Sequence, residues 1–466
     1  MHPKLQETLS KYSTIILVGW GTGGHVQPIV SIISSFEKEL SEWNEDWGMV
    51  REISETPIPL STTKQVDIPL FQGGIPKFLW IWGKDSQEEQ ATRENNVEFM
   101  TIPTFKISTT RSPKILLYPF VLLRWILEAR KILYSVISTE ARYERNGDSQ
   151  YTHCGWILLD TWKRFLDFGY RLRSKWQSQP TSKAVNQQVC VFSKGWPWSV
   201  AVGIAAWSLG IPLYIHESDT IPGRSNRILG KIAMRIFLGF DSAKKYFNPE
   251  KCEVIWQILS RVFEKRMVLF PSWGVSRETG RGGIFWKTSK KHLLVICGSQ
   301  WARTIFEELL ENLETILKDH EMILILGKLN TNMRMDFENS LSFRRGLGWG
   351  SIQLLDWISQ EDLAYLILDT DIAITRGSAT TLAELTAFNT PVSNITRLQE
   401  SNNPTLKHSN TPTLIIIPLP YAADNHQYWN AREYEKLWHT LLEQKNIHLL
   451  KETIQKIWQN SPHSNT

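Results

Sequence analysis

The chain has 466 residues, too many for one ordinary domain and enough for two. Hydrophobic residues make up 42% and charged residues 21%, which provides a packed core and excludes a wholly disordered chain. The formal net charge of +5 suits an anionic substrate or a membrane surface and is too small an excess to argue for nucleic acid. Cys154, Cys190, Cys252 and Cys297 stand apart with no C-x-x-C pair. That pattern implies no metal site and no disulfide framework, and it fits a reducing compartment. The first 13 residues have no apolar signal core, and the longest apolar run, 115–127, is broken by Arg124. It is too short to span a bilayer, so a soluble or peripheral protein is expected.

In chain order, short β-branched runs alternate with longer helical patterns, which predicts repeated βαβ units and mainly parallel sheets. The first series has strands at 14–19, 189–193 and 213–216. The second has strands at 292–297, 322–326, 352–355, 371–375 and 413–418. Two such series predict an α/β fold of two doubly wound domains facing a cleft, joined near 254–261. Two stretches read as insertions. Residues 134–188 carry a basic amphipathic helix at 156–176, and 393–411 form a polar loop with a near-repeat, NTP, NNPT, NTPT.

Five turns concentrate chemistry. The first is Gly19-Trp20-Gly21-Thr22-Gly23-Gly24-His25, where a strand meets a helix through glycines that let backbone approach a phosphate or sugar. The same device also serves as a plain structural turn, and His25 reads either as a base or as a helix cap. The second runs from His216 through Glu217, Ser218, Asp219, Thr220, Ile221, Pro222 and Gly223 to Arg227. Its polar residues follow a strand, where open α/β sheets bind ligands, although Asp219 or Ser225 would also serve as a simple cap. The third is Cys297-Gly298-Ser299-Gln300-Trp301. The fourth runs from Thr375 through Arg376, Gly377 and Ser378 to Glu384. Small residues at that helix start let N–H groups face a diphosphate; taken alone, Glu384 reads as a solvated helical carboxylate. The fifth is Asp424-Asn425-His426-Gln427-Tyr428-Trp429-Asn430-Ala431, amides and a histidine where a loop enters a helix.

In their order these turns resemble the MurG family, the undecaprenyldiphospho-muramoylpentapeptide β-N-acetylglucosaminyltransferases. That family carries a GGTGGH loop, an HE-x-(N/D)-x-x-PG-x-x-NR segment, a GGSQGA turn, an R-(A/S)-G-A-x-T-x-x-E helix start and a late Q-x-x-NA. The likeness covers roughly residues 13–130 and 189–445. It implies the GT-B arrangement of two Rossmann-like domains: an acceptor and membrane-facing domain over 1–260, a donor domain over 261–440, and a last helix within 441–466 returning to the first. It also implies transfer of N-acetylglucosamine from UDP-N-acetylglucosamine to the muramoyl 4-hydroxyl of lipid I, with inversion, at the cytoplasmic face of the membrane and without a cofactor or metal. By motif, substrate contacts fall to Thr22, Gly23, Gly24, Asp219, Ser299, Ile358, Ala379, Thr380, Thr381, Leu382, Ala383, Glu384 and Gln427, with His25 and Glu384 as the catalytic pair. Glu384 would hold the uridine ribose and main chain near Ile358 the uracil. The family's G-N-P-V-R hinge appears as Trp256-Gln257-Ile258-Leu259-Ser260-Arg261, with the arginine displaced by one place. Another GT-B lipid glycosyltransferase, or an inactive UDP-sugar-binding homologue, is the competing reading.

The chain has 21 tryptophans against only 27 glycines, and tryptophan is ordinarily far rarer. Trp20, Trp196, Trp256 and Trp301 stand where the family has glycine, and Trp198 and Trp438 follow the same rule. An indole in a phosphate-approach turn blocks the contact that glycine permits. The coincidence leads to the expectation that UGA specifies glycine in this gene and is rendered here as tryptophan.

Overall fold

The computed structural model describes residues 1–19, 28–36, 76–82, 97–101, 118–144, 188–264, 291–298, 302–327, 330, 332–343, 352–388 and 412–459. The chain divides into two compact units. The first comprises Met1–Glu217, Gly223–Leu238 and Lys244–Ile255; the second comprises Ser218–Pro222, Gly239–Ala243 and Trp256–Thr466.

Among the described residues the first unit holds seven strands: β1 (Thr14–Val18), β2 (Lys77–Trp82), β3 (Glu98–Thr101), β4 (Val189–Ser193), β5 (Leu213–Glu217), β6 (Arg235–Leu238) and β7 (Cys252–Val254). Their spatial order is β3-β2-β1-β4-β5-β6-β7. Every pairing is parallel. The second unit holds β8 (Lys291–Ile296), β9 (His320–Ile325), β10 (Ile352–Leu355), β11 (Ile372–Thr375), β12 (Thr413–Ile416) and β13 (Thr440–Leu441). These are again all parallel, in the order β10-β9-β8-β11-β12-β13. Each unit thus winds outward from its first strand, then reverses direction beside it. That reversal is the switch point of a Rossmann-like sheet.

Parallel strands are covered on both faces, so they read as unbroken apolar runs. All five residues of β1 and of β4 are buried, as are all six of β9. The predicted strands appear within a residue or two of their expected ends. Strands β2, β3, β6, β7 and β13 were not anticipated. Of these, β3, β6, β7 and β13 have only two to four residues each, too short for a periodic signal. In the first unit the helix Tyr118–Glu144 packs along the helix Pro197–Ser208, burying Trp125, Ile126, Ala129 and Leu133. The helix runs through position 134, where the insertion was expected to begin. The remainder of that stretch over 145–187, and the loop 393–411, lie outside the described residues.

The closing helix packs on the second unit. Leu450–Gln459 buries Leu450 and Ile454 in the core of the second unit, among Leu293, Phe306 and Leu324. Its Trp458 ring lies 3.9 Å from the Lys291 Nζ. The apolar stripe of this helix is therefore used on the second sheet.

Phe306 is fully buried in that same core. Phe306→Ala is expected to cost about 3–5 kcal/mol, read as a lower urea midpoint with an unchanged slope.

Candidate functional site

The switch point of the second sheet lies between β8 and β11, which pair directly, Ile372 opposite Leu293 and Thr375 opposite Ile296. Chain leaves both strands at their carboxyl ends, where open parallel sheets receive ligands. After β8, Cys297 leads to Gly298, whose φ of 73° favours glycine. After β11 come Arg376, Gly377 and Ser378. The Arg376 guanidinium is buried, and its Nη1 donates to the Ile417 carbonyl at 3.1 Å and to Gln444 Oε1 at 2.8 Å. Burial lowers its pKa from the ordinary value. Gly377 packs so closely that a Cβ would collide with the Gln427 carbonyl oxygen. Any larger residue would push two backbones apart.

The helix Ala379–Thr386 begins directly after this turn. Ser378 precedes it in extended conformation (φ −70°, ψ 123°) and makes no capping hydrogen bond through its side chain. The first N–H groups of a helix lack intrahelical partners and carry its positive pole. Alanine and threonine at its start leave them open to approach. Glu384 is six residues after Ser378. It is only 6% exposed, not the solvated carboxylate that its sequence position suggests. Burial raises its pKa to about 7, and a hydrogen bond from the Gln360 side chain opposes that rise. Gln360 is held in place by its own helix start. Ser359 Oγ accepts from the Asp362 N–H at 3.0 Å and donates to Asp362 Oδ2 at 2.7 Å, a capping arrangement. Ile358, just before that cap, has its side chain in the apolar core. Leu382 does too, so both offer a ligand their main chain only.

Asn430 ties the remaining turns together. It is fully buried in the helix His426–Glu435. Its Oδ1 accepts from Thr220 N at 2.9 Å and Thr220 Oγ1 at 3.0 Å. Its Nδ2 donates to Asp219 Oδ1 at 2.8 Å and to the Gly377 carbonyl at 3.0 Å. Both donors and both acceptor positions of the amide are used. Asp219 therefore does not cap the helix Arg224–Leu229, whose N-cap is Gly223 with no side-chain bond. The loop is braced further by Gln257 Nε2, which donates to the Ser218 carbonyl at 2.6 Å. Gln427, one turn before Asn430, accepts through Oε1 from the Leu419 N–H at 3.0 Å.

The first unit repeats the pattern at its own switch point, between β1 and β4. Lys194 and His216 are both buried, and Lys194 Nζ and His216 Nδ1 share a hydrogen bond of 2.7 Å. Glu217 Oε2 accepts from Asn226 Nδ2 at 2.9 Å and Gly223 N at 3.1 Å, closing the base of the loop that contains Asp219.

Of the residues singled out from sequence, Asp219, Ile358, Ala379, Thr380, Thr381, Leu382, Ala383, Glu384 and Gln427 lie in the second unit. Hydrogen bonds link Asp219 to Gly377 through Asn430, and Glu384 to the cap beside Ile358 through Gln360. Thr22, Gly23, Gly24, His25 and Ser299 lie outside the described residues. The organising roles of Asn430 and Gln360 went unforeseen. Asn430 was visible only as the amide of a late N-A pair, and Gln360 had no signal beyond its place after a capping serine.

Residues 157–238 match the glycosyltransferase family 28 N-terminal domain; the match begins inside the stretch read as an insertion. The chain is similar to the UDP-N-acetylglucosamine–N-acetylmuramyl-(pentapeptide) pyrophosphoryl-undecaprenol N-acetylglucosamine transferase of Geobacillus kaustophilus. Identity is 29% over 276 residues, covering 59% of this chain and 65% of that protein. The protein of the same description from Thermosipho melanesiensis is 31% identical, covering 51% of this chain and 54% of the relative. The match thus spans less than two thirds of either relative. The crystal structure of Acinetobacter baumannii MurG aligns with a TM-score of 0.50 at 16% identity, covering 96% of this chain and 95% of that one. At that identity the likeness concerns the fold, two Rossmann-like α/β units.

Two outcomes are expected. Asn430→Ala leaves the Thr220 N–H and the Gly377 carbonyl buried without their partner and costs about 2–4 kcal/mol in chemical denaturation. For Glu384 the unfolded carboxyl ionises near the ordinary 4.5 and the folded one near about 7. Between those values the unfolded state has released a proton that the folded state keeps, so stability falls as pH rises through this window. Glu384→Gln is expected to flatten that decline in unfolding experiments run across it.

Proposed function

We propose that this chain is a glycosyltransferase of the MurG family, to whose members it is similar, and that it moves N-acetylglucosamine from UDP-N-acetylglucosamine to the muramoyl 4-hydroxyl of an undecaprenyl-linked lipid I. The product is lipid II. The observation that carries this reading is the buried Glu384 carboxylate at the β8/β11 switch point, inside a helix whose start is built of small residues. An ionised carboxylate there accepts hydrogen bonds from a ribose diol. Its raised pKa makes ribose binding and ionisation mutually reinforcing. Uracil is read by main chain at Ile358, and the diphosphate faces the N–H groups of Ala379 to Leu382 together with Ser299. Ala383, Gln427 and Asp219 complete the surround of the sugar, and the motif likeness assigns Thr22, Gly23 and Gly24 as further substrate contacts.

The reaction is a single displacement. The acceptor hydroxyl attacks the anomeric carbon from the face opposite UDP, and its proton passes to a base, for which His25 is the candidate. The bond to UDP breaks with inversion, and the charge growing on the diphosphate is met by the helix N-terminal dipole. Residues 1–260 serve the acceptor and 261–440 the donor.

The acceptor is a lipid, so the enzyme works at a membrane surface on its cytoplasmic face. No helix among the described residues is long and apolar enough to cross a membrane. Support for surface binding comes from the helix Tyr118–Glu144. Phe120, 71% exposed, Arg124, Lys131 and Tyr134 share one outward face at helical spacing. Such a mixture of apolar and basic side chains suits anionic lipid.

Transfer of labelled N-acetylglucosamine from its UDP ester to a lipid I analogue tests the assignment. Glu384→Ala is expected to lower kcat/KM about ten- to hundredfold, the worth of a charged hydrogen bond to the ribose, with weaker UDP binding. A chain that binds UDP no differently after that change, or that transfers no sugar to the analogue, would sink it.

A further inference from the structure

Among the described residues, five that are not glycine have positive φ: Trp196, Trp256, Asp424, Asn425 and Trp438. Asparagine and aspartate tolerate the left-handed region because their short polar side chains bond locally. Tryptophan has no such compensation, yet it supplies three of the five while being 21 of 466 residues. Each of the three occupies a place with its own reason for glycine.

Trp196 follows Gly195 at the carboxyl end of β4 and precedes the helix Pro197–Ser208, with φ 88° and ψ 152°. That combination belongs to a region populated essentially by glycine alone. Trp438 follows the helix His426–Glu435. The His439 N–H reaches back to the Tyr434 carbonyl and the Trp438 N–H to the Glu435 carbonyl. This is the closing pattern whose left-handed residue is ordinarily glycine. Its φ is 71°, and its indole is 69% exposed. Trp256, φ 63°, comes directly after Ile255, where the chain enters the second unit. A different misfit occurs at Trp198, whose ring centroid is 3.6 Å from that of Trp125 at 67°. Edge-on aromatic pairs keep about 4.5–7 Å.

We propose that positions 196, 256 and 438 carry glycine in the protein as its source makes it, the codon rendered here as tryptophan being decoded there as glycine. The backbone at these sites follows the demands of strand ends, a helix stop and a unit junction, whichever sugar the chain moves. Trp458, by contrast, fits its place: within a helix, it covers the Lys291 ammonium.

Peptide mass spectrometry of the protein purified from its source decides the matter, with glycine expected at all three positions. Tryptophan at any one of them would overturn the proposal. Recombinant protein gives a second reading. Trp196→Gly, Trp256→Gly and Trp438→Gly are each expected to raise Tm, by about 2–4 °C per site or more, whereas Trp458→Gly lowers it. No rise at the three positive-φ sites would equally count against it.

Discussion

A single buried amide, that of Asn430, holds the second unit's turns in register. Residues 218–222 come from the connection after β5, Gly377 from the connection after β11, and Asn430 from a helix about two hundred residues beyond the first of these. Neither connection has regular structure of its own to fix it, whereas Asn430 is carried on a helix. A carboxamide suits the node because it offers acceptors and donors from one rigid plane. Replacing it by a carboxylate would set a second negative group beside Asp219. Replacing it by an apolar side chain would strand the Thr220 N–H in a dry interior, where an unpaired polar group is costly.

The sheets explain why such a node is needed where it is. In both units the strand order reverses beside the first strand, and the connections that leave the carboxyl ends there diverge to opposite faces. Divergence opens a crevice, and loops lining a crevice lose the neighbours that strands have. The structure supplies substitutes: Asn430 and the Ser359–Asp362 cap in the second unit, and Glu217 with Asn226 and Gly223 in the first. Glu384 belongs to the same economy of space. Its helix is covered on its inner side by the core containing Leu382 and Leu385, and the carboxylate is desolvated as a result. Burial of a charge with one amide partner is unfavourable in the absence of ligand and becomes favourable once hydroxyl donors arrive.

The tryptophans bear on the same regions. Turns at strand ends and helix stops are where backbone must adopt left-handed angles, and glycine is the residue that does so without steric cost. Large aromatic rings at those points conflict with a chain that is otherwise locally consistent: apolar strands, capped helices and small residues at the helix start.

Much of this was legible in the amino-acid sequence. Buried parallel strands are continuous apolar runs, so β1, β4, β5, β8, β10, β11 and β12 were recognisable close to their true ends, and the glycine- and polar-rich turns after them marked where chemistry gathers. The five ordered motifs led to the family, because local backbone requirements leave local traces. Tertiary structure alone decided what depends on distant partners: that Glu384 is buried, that Asp219 answers to Asn430 and does not cap a helix, and that residues 450–459 settle on the second sheet. Short strands such as β6 and β13 likewise exist only because a neighbouring strand is there to bond them. Periodicity records which face of a segment is apolar; it carries no information about which other segment will cover that face, since any apolar surface removes the same water.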